Sequence, residues 1–313
     1  MLSYLVRRTL SIVPVLIGVS LIVFLSMRLA PGDPARQILG PLASQEKVLE
    51  LRSQLGLDKP IFVQYSIWLK NALRGDLGES IANHAPTLEL VSERVGQTLE
   101  LTIAAFCITL LVALTAGIIS AIRQYSITDT VVTFSALFWL SMPTFWLGLM
   151  FMLFLAVRIP GLPISGRGGS FWTWNGLVHL ILPALTLGLP QAGTFTRITR
   201  SGMLDVLLQD YVTTARSKGL AERVVILKHA LRNTLIPVIT MMALQLPWLF
   251  GGSVIVETVF SWPGMGRLLT TAVFERDYPL VQATALVYTL VVVFANYLAD
   301  IAYSLADPRI RLQ

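Results

Sequence analysis

Apolar residues run through this chain in long blocks. Predominantly apolar stretches of about 18 or more residues, bounded by charged or turn-forming residues, fall near 9–29, 98–121, 131–157, 177–196, 235–256 and 283–305. A helix rises ~1.5 Å per residue, so each stretch is long enough to cross the roughly 30 Å hydrocarbon core of a bilayer. The pattern predicts six transmembrane helices in an all-α polytopic membrane protein. The first stretch, about 21 residues, is too long for the apolar region of a signal peptide. Arg28 also stands where a cleavage site needs small neutral residues, so residues 1–30 are expected to form an uncleaved transmembrane helix. The fourth stretch contains Pro183 and Pro190. Such breaks survive in membranes where neighbours or a water-filled path satisfy the freed carbonyls, which predicts a kinked helix beside a path.

Residues 31–97 break the apolar pattern and carry two helical ones. In SQEKVLELRSQLG, Ser44 stands at the cap, Glu46 in the first turn, and Val48, Leu51 and Leu55 recur at helical spacing before Gly56. In DKPIFVQYSIWLKNALRG, Asp58 and Pro60 open a helix whose stripe is Phe62, Tyr65, Leu69 and Leu73, with Gly75 as the stop.

Charge orients these elements. With the amino terminus inside, the inner loops carry Arg7, Arg8, Arg123, Arg197, Arg200, Arg216, Lys218, Arg223, Lys228, Arg232, Arg309 and Arg311. The short outer loops carry Arg158, Arg167, Arg267 and Arg276. Twelve against four places both termini in the cytoplasm and residues 31–97 outside. The implied organisation is an N-terminal helix over 1–30, an extracytoplasmic helical segment over 31–97, a five-helix core over 98–305 with a cytoplasmic loop at 197–234, and a cytoplasmic tail over 306–313. Of 313 residues, 54% are hydrophobic and 13% charged, with mean hydropathy +0.68. The net charge of +6 follows from this topology and gives no reason to invoke nucleic acid.

Candidate chemistry is sparse. His84, His179 and His229 are far apart, the single Cys107 lies in an apolar run as an expected buried small hydrophobe, and no HExxH, CxxC or GxSxG occurs. GLPISGRGG has Gly161 and Gly166 at phosphate-loop spacing, but Arg167 and Gly168 replace the lysine and hydroxyl that such a loop needs. It reads as a turn between helices. No catalytic constellation emerges, no metal site, and no cofactor on this chain. Charged groups near the apolar stretches are few, and each must face a protein interior, a partner or an interface. Glu100 reads as a carboxylate at a helix start, and Asp300 as a partner within the bundle. Glu257 lies at the outer end of the fifth stretch, just before Pro263 and Gly264; these three read either as a gate on a path or as a structural hydrogen-bonding corner.

The longest polar run of the second half is DYVTTARSKGLAERVVILKHALRN, 210–233. Apolar positions at Leu207, Leu208, Tyr211, Val212 and Ala215 form a helical stripe, Gly219 interrupts it, and Val224, Leu227 and Leu231 form another. The predicted shape is helix, glycine bend, helix. TTARSKGL and HALRN resemble the cytoplasmic loop of the inner-membrane permeases of ATP-binding-cassette importers, in the peptide-class branch that takes up dipeptides, oligopeptides, glutathione or nickel. The general loop pattern is Glu-Ala-Ala, three residues, Gly, then nine residues before Ile-x-Leu-Pro. This chain keeps Ala215 and Gly219, with Thr213 and Thr214 for the usual Glu and Ala, and His229 and Arg232 for the usual Ile and Pro. APGDP at 30–34, LGLDKPIFVQY at 55–65, GDLGES at 75–80, FSWPGMGRLL at 260–269, RDYPLVQ at 276–282 and the closing DPRIR are similar to that branch as well.

The resemblance implies a type I importer permease fold in a bacterial inner membrane. Such a subunit pairs with a second, homologous permease, stands on two cytoplasmic ATPases that bind ATP and Mg, and receives solute from an extracytoplasmic binding protein. Tyr211, Thr214, Ala215, Arg216, Lys218, Gly219 and Leu220 would then form the coupling helix and bend on which an ATPase pushes, with Ala215 and Gly219 supplying a close-packing bend. Two other readings stay open: a secondary transporter using Glu257 or Asp300 as its coupling carboxylate, and a membrane-embedded hydrolase.

Overall fold

The computed structural model describes residues 2–29, 34–39, 43–54 and 56–306. Residues 30–33 of the APGDP stretch and 307–313 of the tail with its DPRIR lie outside the described residues, as do the side chains of Arg7, Arg8, Leu51 and Leu55. In chain order the helices are α1 (Leu2–Leu29), α2 (Pro34–Leu39), α3 (Gln45–Gln54), α4 (Ile61–Leu73), α5 (Thr87–Ile122), α6 (Ile127–Ser141) and α7 (Thr144–Phe151). They continue as α8 (Trp174–Leu207), α9 (Asp210–Ser217), α10 (Glu222–Val224), α11 (Leu231–Val259), α12 (Met265–Phe274) and α13 (Tyr278–Ala306). π-helical turns prolong α7 over Met152–Ala156 and lead into α11 over Val225–Ala230. Among the described residues there is no named strand, only an isolated bridge between Glu79 and Pro86. The protein is all-α, as its apolar blocks require.

Four helices are long and apolar enough to cross a membrane, in α1, α5, α8 and α13. A fifth span arises if α6 and the prolonged α7 are counted together, across a bend of 108°. The expected third stretch is therefore not one straight helix. Pro143 has no amide hydrogen and forces the preceding Met142 out of the helical region, to φ −83 and ψ 130. The expected span at 235–256 falls in α11, where the side chains at 236, 237, 243, 244 and 246 lie outside the described residues. Other boundaries move too. α5 begins at Thr87, so Glu100 stands well inside a helix and not at its start. α8 continues to Leu207, so Arg197 and Arg200 are helical residues and not loop residues.

The chain divides into two compact units, Met1–Gln97 with Gly264–Val293 and Thr98–Pro263 with Phe294–Gln313. In the second, α8 is the axis: 67% of its apolar window is buried, against 28% for that of α5. α8 stays helical through both prolines, and the Thr109 hydroxyl donates to the Gly188 carbonyl at 2.9 Å between them. α8 can lie this close to α5 because Gly188 has no side chain; a Cβ there would sit 2.7 Å from the Ala105 carbonyl oxygen. Leu101, Leu182, Leu187, Phe260 and Trp262 fill the largest apolar cluster of this unit.

In the first unit, α4 is docked on α1. The Ser20 and Tyr65 hydroxyls are 2.8 Å apart, and the buried Phe24 ring lies 5.5 Å from Tyr65 and 5.8 Å from Trp68. The predicted stripe of α4 is only partly used: Tyr65 packs, whereas Phe62 and Leu73 are exposed. Val91, Met265, Ala272 and Leu280 form the unit's apolar cluster. Cys107 corrects another expectation, since it is exposed. It continues the outward stripe of α5 through Ile103 and Leu111, so an apolar position in a membrane helix does not entail burial within the chain.

Candidate functional site

The polar run at 210–233 is built as a short helix, a bend and a return. α8 ends at Leu207 with Leu208 as its cap, Gln209 turns extended with φ −74 and ψ 145, and α9 starts at Asp210. The predicted single stripe from Leu207 to Ala215 is thus split over two helices. α9 presents two residues inward: Val212 and Ala215 are buried against Val225, Val206 and Leu207. Its remaining positions face outward. The Thr214 hydroxyl turns back onto the Asp210 carbonyl at 2.8 Å, and Lys218, Gly219 and Leu220 are exposed. Tyr211 is half-exposed, and its hydroxyl accepts from Asn233 Nδ2 at 2.6 Å, which ties α9 to the first turn of α11.

Gly219 ends this helix in the left-handed region at φ +75, with its amide donating to the Arg216 carbonyl at 2.9 Å. Only glycine adopts that conformation without strain, which is why helices commonly stop on it. A Cβ at 219 would meet no atom within 4 Å. The expected close packing at the bend is therefore absent within the chain, and the requirement on Gly219 is conformational. Arg216 closes the bend with a fork onto Glu222, Nη2 to Oε1 at 2.8 Å and Nε to Oε2 at 3.2 Å. The hydrogen bond from Arg216 holds the Glu222 carboxyl below its ordinary pKa, and the same bond raises the guanidinium above its own. Both side chains are about half exposed, so solvent screens most of this attraction. Behind the bend, the π-helical turn buries Val225, Ile226 and Ala230.

A second constellation surrounds Glu257. This carboxylate is fully buried; Thr98 Oγ1 donates to its Oε1 at 2.8 Å, and Ser253 Oγ lies 3.4 Å from the same oxygen. Its own carbonyl accepts from the Trp262 amide at 2.8 Å, so the corner after α11 is folded back on it. Pro263 is half-buried, while the buried Gly264 is the extended residue before α12, at φ −96 and ψ −179.

Three polar links went unrecognised in the sequence. Arg200 on α8 forks onto Asp129 on α6, Nε to Oδ1 and Nη2 to Oδ2 both at 2.8 Å; Ser120 and the Tyr125 amide also donate to that carboxylate. The signal was Ser126 three residues before Asp129, a helix-start pattern in which the acid stays close to the first turn. Arg167 forks onto Glu100 at 2.6 and 3.0 Å, which gives the glycine-rich turn a structural task. In the other unit, buried Asp277 accepts from Ser80 Oγ at 2.5 Å, from the Ala82 amide at 3.1 Å and from the Leu280 amide at 3.2 Å. It thereby joins GDLGES to RDYPLVQ, two stretches that the sequence reading named but could not connect.

The chain matches two family models end to end. Residues 1–113 match the N-terminal part of a binding-protein-dependent transport system membrane component, and residues 113–312 match the binding-protein-dependent transport system inner membrane component. It is 41% identical over 314 residues to the oligopeptide transport system permease protein AppB of Bacillus subtilis, covering 99% of each chain. The dipeptide transport system permease protein DppB of Alkalihalophilus pseudofirmus is 41% identical over 99% of this chain and 100% of the relative. The glutathione transport system permease protein GsiC of Escherichia coli (strain K12) is 41% identical over 99% of each. Among solved structures, an inward-facing form of the MetNI methionine ABC transporter matches with TM-score 0.57 and 17% identity, covering 70% of this chain and 96% of that one. That likeness bears on the fold alone.

Proposed function

This chain belongs to the family of binding-protein-dependent transport system inner membrane components, and from that premise we propose that it forms half of the translocation pathway of an ABC importer for peptides or a peptide-like solute. It is a multi-pass protein of the inner membrane. The observation that carries the proposal is the full-length relationship to permeases of oligopeptide, dipeptide and glutathione systems. In this reading α11 supplies a sixth span and both termini are cytoplasmic. A second, homologous permease completes the pathway, two ATPases on separate chains bind ATP and Mg, and an extracytoplasmic binding protein delivers solute to the side that carries residues 31–97.

Residues of the bend would do the mechanical work. α9 rests on the chain through Val212 and Ala215, and with the bend that follows it offers Tyr211, Thr214, Lys218 and Leu220 outward, which suits a helix seated in a groove of an ATPase. Closure of the ATPase pair pushes on α9, and the Tyr211–Asn233 bond and the buried Val225 carry the displacement toward α11. Glu257 then serves as a fixed corner at the far end of α11.

Reconstitution tests the reading. The chain is placed in proteoliposomes with its second permease, ATPases and binding protein, and uptake of labelled di- and oligopeptides is measured. Uptake that needs ATP and every partner is the expected result. Uptake by this chain alone, driven by a proton or sodium gradient, would overturn the proposal.

A further inference from the structure

The unit made of residues 1–97 and 264–293 contains a cavity of about 320 Å³ lined by Arg28, Gln64, Trp68, Asp76, Tyr278 and Gln282, among others. Three of these side chains are chemically incomplete. Arg28, in the last turn of α1, is half-buried, with its guanidinium carbon over the Phe24 ring at 5.2 Å from the centroid. A guanidinium carries five donors, more than one ring face engages, and among the described residues no carboxylate pairs with them. Gln64 donates through Nε2 to two carbonyls, Lys59 at 2.8 Å and Leu57 at 3.2 Å. Two acceptors on one side settle which way the amide lies, so its buried Oε1, which has no hydrogen-bond partner, is an acceptor in need of a donor. Asp76 binds the Gly78 amide through Oδ1 at 3.0 Å and has no cation paired with it among the described residues.

We propose that this cavity binds the headgroup of a phosphatidylethanolamine, its phosphate on Arg28 and its ammonium shared by Asp76 and Gln64. A guanidinium fork matches two phosphate oxygens, and an ammonium has three donors for carboxylate and amide oxygens. A ligand that carries only negative charge would leave Asp76 facing it uncompensated. The depth is right for a lipid: the apolar window of α1 ends at Ser26, two residues before Arg28. Trp68 and Tyr278 are the amphipathic aromatics found at that level. The volume is at the lower end of ligand sites, which suits a headgroup better than a peptide of several residues.

The test uses the intact transporter, exchanged in detergent into phosphatidylethanolamine or phosphatidylglycerol and examined by native mass spectrometry. One phosphatidylethanolamine is expected to stay on this subunit, and Arg28→Gln and Asp76→Asn are each expected to lower its retention about tenfold. Asp76 is exposed, so the second variant reads the site even if the first disturbs folding. Equal retention of phosphatidylglycerol, unchanged retention in both variants, or displacement of the lipid by free dipeptide would each overturn the assignment. Retention is read without transport, so its failure leaves the import reading where it stands.

Discussion

Replacing Gly219 separates two explanations of the bend after α9. Gly219 sits at φ +75, and a Cβ there would meet no atom within 4 Å. A Cβ at 219 therefore meets no clash within the chain, and the main intrachain effect of Gly219→Val is the strain of holding a β-branched L-residue in the left-handed region, about 1–2 kcal/mol or somewhat more. α9 is held by two buried residues, Val212 and Ala215, so the strain acts locally on whether the bend forms. A change of that size shifts such an equilibrium about 5–30-fold. Asn tolerates this conformation far better, so Gly219→Asn is the control with a larger, polar side chain at the same exposed place. In proteoliposomes holding the complete transporter, Val is expected to lower solute imported per ATP hydrolysed several-fold, while Asn retains most of it. If Val and Asn gave the same coupling ratio, whether normal or abolished, backbone conformation at 219 could not be what the bend contributes.

Other residues give independent tests. Asp277→Ala removes the acceptor of the Ser80 hydroxyl and of two amides and is expected to destabilise its unit by about 2–4 kcal/mol, seen as a lowered thermal midpoint and faster proteolysis within residues 75–90. Asp129→Asn breaks the fork with Arg200, where the acid is buried and the arginine partly exposed, for an expected loss of about 2–4 kcal/mol; Arg200→Gln added to it should recover part, as measured by a double-mutant cycle. Glu257→Gln keeps an oxygen for the Thr98 hydroxyl, so assembly and uptake near wild type are expected; normal assembly with lost uptake would instead assign the negative charge to the path. The Arg216–Glu222 clasp has a depressed carboxyl pKa, so its contribution is complete above the ordinary glutamate value of 4.5 and drains away as pH falls below it. Hydrogen-exchange protection at 216–222, taken relative to the intrinsic rate at each pH, should fall over that acid range in the wild-type chain and stay flat in Glu222→Gln.

The path from sequence to structure was shortest where one local rule was enough. Pro60 and Gly75 bracket α4 because each acts on its own backbone, and α3 starts directly after Ser44. The run at 210–233 showed its bend for the same reason, through Gly219. Rules of this kind failed where a neighbour decided the outcome. Pro143 ended α6 and turned the chain through 108°, whereas Pro183 and Pro190 left α8 unbroken. Pro14 likewise stays inside α1, so a proline by itself does not say in the sequence whether a helix ends at it or continues through it.

The sequence by itself determined that the protein is helical and membrane-embedded, where its apolar blocks lie, and, through motifs spread along the chain, its family. Periodicity, length and charge act over a few turns of chain and need no knowledge of what packs where. Only the tertiary structure decided which charges are satisfied and by whom: Arg200 with Asp129, Arg167 with Glu100, Asp277 with Ser80, and Glu257 with Thr98. Those partners lie 71, 67, 197 and 159 residues apart. A buried charge must find a hydrogen-bonding partner because leaving it bare in a low dielectric is too costly, yet that demand names no partner, and only the packing of distant helices does.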